Sequence, residues 1–178
     1  MTTSTASLLD IVLPRYDVSA CYSIRIQAPP ERIYRVLQQG VPTGAFTKIL
    51  MGLRNMPRIL NKKKAPAPND AFYRLMQLEN REIVVGIIGQ FWRSVSNPLP
   101  INGLDEFLAF ERAGYSKAAM NLCIIPLNAR ECKVITETRV VSYGKAREHF
   151  KNYWHVIGPF SGMIRKEILR KIKSKAES

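Results

Sequence analysis

The side chains able to do proton transfer, nucleophilic attack or metal binding are few and scattered. His149 and His155 are the only histidines, and Cys21, Cys123 and Cys132 the only cysteines. Neither histidine has a cysteine or carboxylate at a spacing that would build a catalytic triad or a metal site. His155 falls on the polar side of a helical segment and His149 near its opening, so both read as solvated imidazoles. The cysteines are odd in number and lack C-x-x-C spacing, which reads as free thiols in a reducing compartment. Glu137 and Arg139 share one strand face, and a cross-strand ion pair accounts for them more simply than acid–base work. These residues give no positive evidence for a reaction. No catalytic residue is assigned, and no metal or cofactor is expected.

The element that would have to position any site is the last one, from Ala146 to about Lys175. At 100° per residue it places Phe150, Trp154, Ile157, Ser161, Ile164, Ile168 and Ile172 on one narrow stripe. Glu148, Asn152, His155, Lys166, Arg170 and Lys173 fall opposite. A helix of roughly 28 residues is about 42 Å long, enough to cross a small domain. Pro159 lies on the far side of the stripe and should bend the helix around whatever lies beneath. Ser161 is a small polar residue at the centre of a large apolar row. It marks either close contact between helix backbone and a strand or a hollow filled by a ligand, and small residues mark close packing more often.

Before that helix the pattern is mixed. Met1–Ser7 is a polar lead, and Leu8–Leu13 reads as a helical turn stopped by Pro14, so residues 1–15 form a partly ordered N-terminal lead. Ala20–Ala28 alternates as a half-buried strand. Pro30 opens a helix over Glu31–Gln39, which Gly40 closes. A second helix spans about Gly44–Leu60, with Phe46, Ile49, Leu50 and Leu53 on one side. Asn61–Asp70 is a basic, proline-bearing loop. The period then changes to that of strands over Ala71–Glu79, Glu82–Trp92, Leu104–Arg112, Lys117–Pro126 and Glu131–Tyr143. Short turns between them argue for an antiparallel meander. In the last strand Val134, Thr136, Thr138 and Val140 should look inward. Ile83–Ile88 is apolar on both sides, which leaves its inner face open. The expected fold is α+β: a curved antiparallel sheet of six or seven strands, two short helices after the first strand, and a long kinked C-terminal helix.

A chain of 178 residues fits one domain, here 16–178. Its net charge of +13 attracts phosphate-bearing partners, whether nucleic acid, anionic lipid or an acidic small molecule. Arg58 with Lys62–Lys64, and Arg165, Lys166, Arg170, Lys171, Lys173 and Lys175, form the basic clusters. Aromatic residues are not interleaved with them as stacking platforms, which argues against nucleic acid. An anionic membrane surface remains a candidate partner for a basic amphipathic helix. No apolar run approaches the roughly 18 residues that span a bilayer, and the N-terminus lacks a basic leader. A cytoplasmic location is the expectation.

The order of elements, and local text, resemble the helix-grip superfamily, also called START-like or SRPBCC. The segment Ser23–Tyr34, a strand followed by Pro29-Pro30-Glu31 and an aromatic, is similar to that superfamily's opening. Gly86–Arg93, Gly114–Asn121, Glu137–Val140 and Tyr153–Arg165 look like a bacterial branch within it that has no assigned activity. The resemblance covers the chain from about Tyr16. It implies a sheet and terminal helix enclosing an apolar cavity, and members bind lipids, sterols, polyketides or plant hormones. Carried over by position, Leu50 and Leu53, Met120 and Leu122, Thr136 and Thr138, and Trp154, Ile157 and Ser161 would line it. The implied function is binding, transport or sequestration of a small apolar or amphipathic ligand. The rival classes are a polyketide-cyclase or dehydrase-like enzyme and a basic domain docking on membrane or nucleic acid.

Overall fold

The computed structural model describes residues 6–40, 72–93 and 97–178. These residues form five strands: β1 (Val18–Ile26), β2 (Tyr73–Leu78), β3 (Glu82–Gly89), β4 (Ser116–Asn128) and β5 (Glu131–Ser142). All pairs are antiparallel, in the order β1-β5-β4-β3-β2. Irregularities in register at Arg74/Met76 and Pro126/Asn128 bend the strands locally. The helices are α1 (Leu8–Val12), α2 (Pro30–Gln38), α3 (Leu104–Ala109) and α4 (Ala146–Glu177). The expected second helix over Gly44–Leu60, with Leu50 and Leu53, lies outside the described residues.

Among the described residues the sheet has five strands, not six or seven. Leu104–Arg112, expected as a strand, begins instead with α3. Asp105 and Glu106 occupy its first turn, where carboxylates favour a helix N-terminus. Glu106 also reaches back to accept from the Asn102 N–H at 2.7 Å. Leu104, Phe107 and Leu108 recur at helical spacing, and Phe107 is fully buried. Its ring lies so close to Gly86 on β3 that a β-carbon there would overlap both it and Leu75. The strand expectation counted apolar β-formers and missed this period.

Each sheet face has its own core, because strand side chains alternate. On one face α2 and α4 cover Ile24, Ile26, Ile83, Leu122, Ile124, Cys132 and Val134, with Ile168, Leu169 and Ile172 from α4. On the other, α1 and α3 cover Val84, Ile88 and Ala119. This explains why Ile83–Ile88 reads apolar on both sides: Ile83 and Val85 serve the first core, Val84 and Ile88 the second. The first will be called the helix face.

Short polar devices set the helix ends. Ser7 caps α1 in a reciprocal arrangement with Asp10. Pro30 opens α2, and Gly40 follows it at φ 102°. α4 runs unbroken through Pro159, which is exposed. An outward proline gives up its hydrogen bond on the solvated side, where the freed carbonyl can meet water.

Candidate functional site

Strand register places the helix-face residues in rows. One row is Ala20–Thr138–Met120–Val85. Beside it Tyr22 pairs with Thr136 and Leu122 with Ile83, and on the other side lie Val18, Val140, Ala118 and Ile87. Between Thr136 and Leu122 side chains take over from the backbone ladder. The Thr136 hydroxyl donates to the Asn121 carbonyl at 2.8 Å, and the Asn121 side-chain oxygen accepts from the Glu137 N–H at 2.7 Å.

α4 lies along β1 and crosses these rows, and its grip is uneven. At the start Phe150 is buried, ringed by Phe91, Tyr153 and Trp154. Towards the end Ile168, Leu169, Ile172 and Ala176 are buried in the core, and Lys173 and Glu177 bond to the backbone of Arg25 and Gln27. Between those ends Trp154, Ile157, Ser161 and Ile164 are only half-buried, although they continue the same apolar stripe. The close approach of helix to strand falls at Gly162, where a β-carbon would overlap the Tyr22 hydroxyl. Gly162 therefore makes the tight contact that sequence alone offered as one reading of Ser161.

Among the described residues, two side-chain polar atoms are buried without a hydrogen-bond partner: Thr138 Oγ1 and Arg165 Nε. Arg165 follows Gly162 by one turn on the side facing Tyr22. Burial pulls the pKa of its guanidinium down to about 10, with the Tyr22 hydroxyl acting in the opposite sense. It stays cationic at neutral pH. An open groove of about 410 Å³ runs between β1 and this part of α4, lined by residues that include Ala20, Tyr22, Trp154, His155 and Gly158.

Register thus brings together Met120 and Thr138 in one row, with Thr136 and Leu122 in the next. Trp154, Ile157 and Ser161 lie on the half-buried stretch of α4, while Leu122 belongs to the packed core. Leu50 and Leu53 lie outside the described residues. Thr136 has already committed its donor, and Thr138 has not. Sequence reasoning missed Arg165 and Tyr22. It counted Arg165 in a basic cluster, yet Arg165 sits four residues after Ser161 and three before Ile168. Those spacings put it on the gripping side.

Other polar clusters are internally satisfied. On the opposite face the buried Glu82 accepts from the Ser7 hydroxyl, the Leu8 N–H and the Asn121 amide. Arg139 pairs with Asp10 and Glu137, each at 2.7 Å, and donates to the Leu13 carbonyl. This network fastens α1 to the sheet; Glu137 and Arg139 do pair, but along β5 and not across strands as expected. Lys117 is buried and donates to the carbonyls of Phe107 and Leu108 at 3.0 Å, neutralising the C-terminal end of α3. His149 is exposed and stacks on Trp92, and His155 is exposed at the groove. Among the described residues no group of three His, Cys, Asp or Glu could hold a metal ion, and no helix is long and apolar enough to cross a membrane.

No protein-family model matches the chain, and no curated protein matches it. Solved structures similar to it include a conserved protein from Geobacillus kaustophilus, with 14% identity over 89% of this chain and 95% of that one and a TM-score of 0.39. The Zhui aromatase/cyclase from a Streptomyces species is similar at 9% identity over 90% and 93%, with a TM-score of 0.33. Norcoclaurine synthase from Thalictrum flavum is similar at 11% identity over 89% and 91%, also with a TM-score of 0.33. None of these likenesses assigns a role to a residue of this chain.

Proposed function

We propose that this protein binds a small apolar or amphipathic molecule between the helix face of its sheet and the middle of α4. One observation carries the reading: the apolar stripe of α4 is sealed at both ends and only half-buried between them, over Trp154, Ile157, Ser161 and Ile164. A helix held only for packing buries its central stripe best. A helix that grips a guest leaves that stretch for the guest. The open groove beside Tyr22 and Trp154 reaches the same turns from the solvent side. The element order, in which an antiparallel sheet is followed by a long terminal helix, supports placing the chain with the helix-grip proteins.

The reading is tested by native mass spectrometry of freshly purified protein, with and without Ser161→Trp. The expected result is a co-purifying small-molecule mass that disappears in the variant while its circular dichroism is unchanged. Ser161 serving only as packing predicts instead no added mass, with destabilisation of about 1–3 kcal/mol from overpacking. That outcome ends the ligand reading.

A further inference from the structure

The unpaired Nε of Arg165 says what kind of molecule fits. Arg165 Nε is buried on the helix face with no hydrogen-bond partner, and Thr138 Oγ1 is in the same condition. Arg165 as a whole is half-buried, but its Nε is closed off from water, and buried polar groups that persist unpaired call for a reason. Pairing among the described residues does not supply one. Among the described residues the ion pairs join Arg139 to Asp10 and Glu137, Arg25 to Glu131, Arg147 to Asp17 and Lys173 to Glu177. Arg165 is in none of them. Partial exposure of the side chain does not supply one for Nε either, since that atom stays buried.

We propose that the bound molecule carries an oxyanion headgroup, a carboxylate or a phosphate monoester, that docks on the Nε edge of Arg165. This rests on the ligand reading above and deepens it. The guanidinium edge formed by Nε and one terminal nitrogen offers two parallel N–H donors, the geometry that matches two oxygens of such a group. Thr138 adds a hydroxyl donor on the same face, in the row next to Tyr22 and Thr136. Met120, in that row, and Ile157 and Trp154 on the helix offer apolar surface to the tail. Headgroup and tail together define an anionic amphiphile, and a neutral lipid would leave Arg165 unpaired.

The test compares decanoate, decyl phosphate and decan-1-ol binding to the full chain by tryptophan fluorescence and calorimetry. At least one anion should bind tenfold or more tightly than the alcohol, and whichever binds tighter names the headgroup. Arg165→Gln should erase that preference to within twofold. Equal binding of all three by the wild type, or a preference that survives in Arg165→Gln, overturns the headgroup assignment and leaves the ligand reading standing. No binding of any of the three removes both. Should Arg165→Gln fail to fold, carboxyl-labelled decanoate bound to the wild type decides by NMR. Its carboxyl must titrate below its free pKa if it faces the guanidinium, and an unshifted titration refutes the pairing.

Discussion

At the level of single residues, two threonines two positions apart on one strand face have opposite energetics. Thr136 spends its hydroxyl on the Asn121 carbonyl, in a place where the ladder between β4 and β5 is carried by side chains. Thr138 holds an equally buried hydroxyl with no partner. Removing a satisfied hydrogen bond strands its other half, whereas removing an unsatisfied group relieves a desolvation cost. Thr136→Val should therefore destabilise by about 1–2 kcal/mol, and Thr138→Val should be neutral or stabilising by up to about 1 kcal/mol. Urea unfolding measures both, and equal losses would contradict the assignment. Sequence alternation placed both threonines inward correctly. It had no means of saying which hydroxyl was free, because that depends on a carbonyl one strand away.

Between elements, the decisive contact is α4 against β1. Gly162 leaves no room for a β-carbon beside the Tyr22 hydroxyl and ring. Gly162→Ala gains helix propensity of about 1 kcal/mol. Against that stands overpacking of about 1–3 kcal/mol, for an expected net loss of roughly 1 kcal/mol. Tyr22→Phe removes the overlapping hydroxyl, so the double variant should recover at least half of the loss in thermal unfolding. Additive losses would show that the two do not meet. The long helix itself was legible from its stripe and begins at Ala146 as expected. α3 was not, because its short run of Leu, Phe and Ala suits either period. The acidic first turn and the gap over Gly86 settle it as helix.

For the molecule as a whole, two cores back to back across one sheet mean that solvent reaches the thiols very unevenly. Cys21 is exposed, and Cys132 is fully buried among Ile26, Val134 and Ile172. Burial pushes the Cys123 thiol up to about 11, with Glu82 adding to the effect, and burial likewise raises Cys132, with Glu31 adding. A raised thiol pKa leaves the unreactive protonated form dominant at pH 8. An aromatic disulfide reagent at that pH should modify Cys21 first. Cys132 should react only as fast as the whole domain unfolds, so that its labelling rate follows denaturant-induced unfolding. Rapid labelling of Cys132 in the native protein would show that the core beneath α2 and α4 opens locally.

What the chain determined without its three-dimensional structure was every feature written in local periodicity and turn chemistry. These are the half-buried first strand, the helix opened by Pro30, the inward set on β5 and the apolar stripe of the last helix. They are legible because neighbours along the chain set them. The tertiary structure alone decided which small residue meets the strand, which threonine keeps a free hydroxyl and whether an arginine on a basic helix points to water. Each of those depends on the distance between atoms more than a hundred residues apart, or across a strand pair. Charge and hydropathy carry no record of that distance.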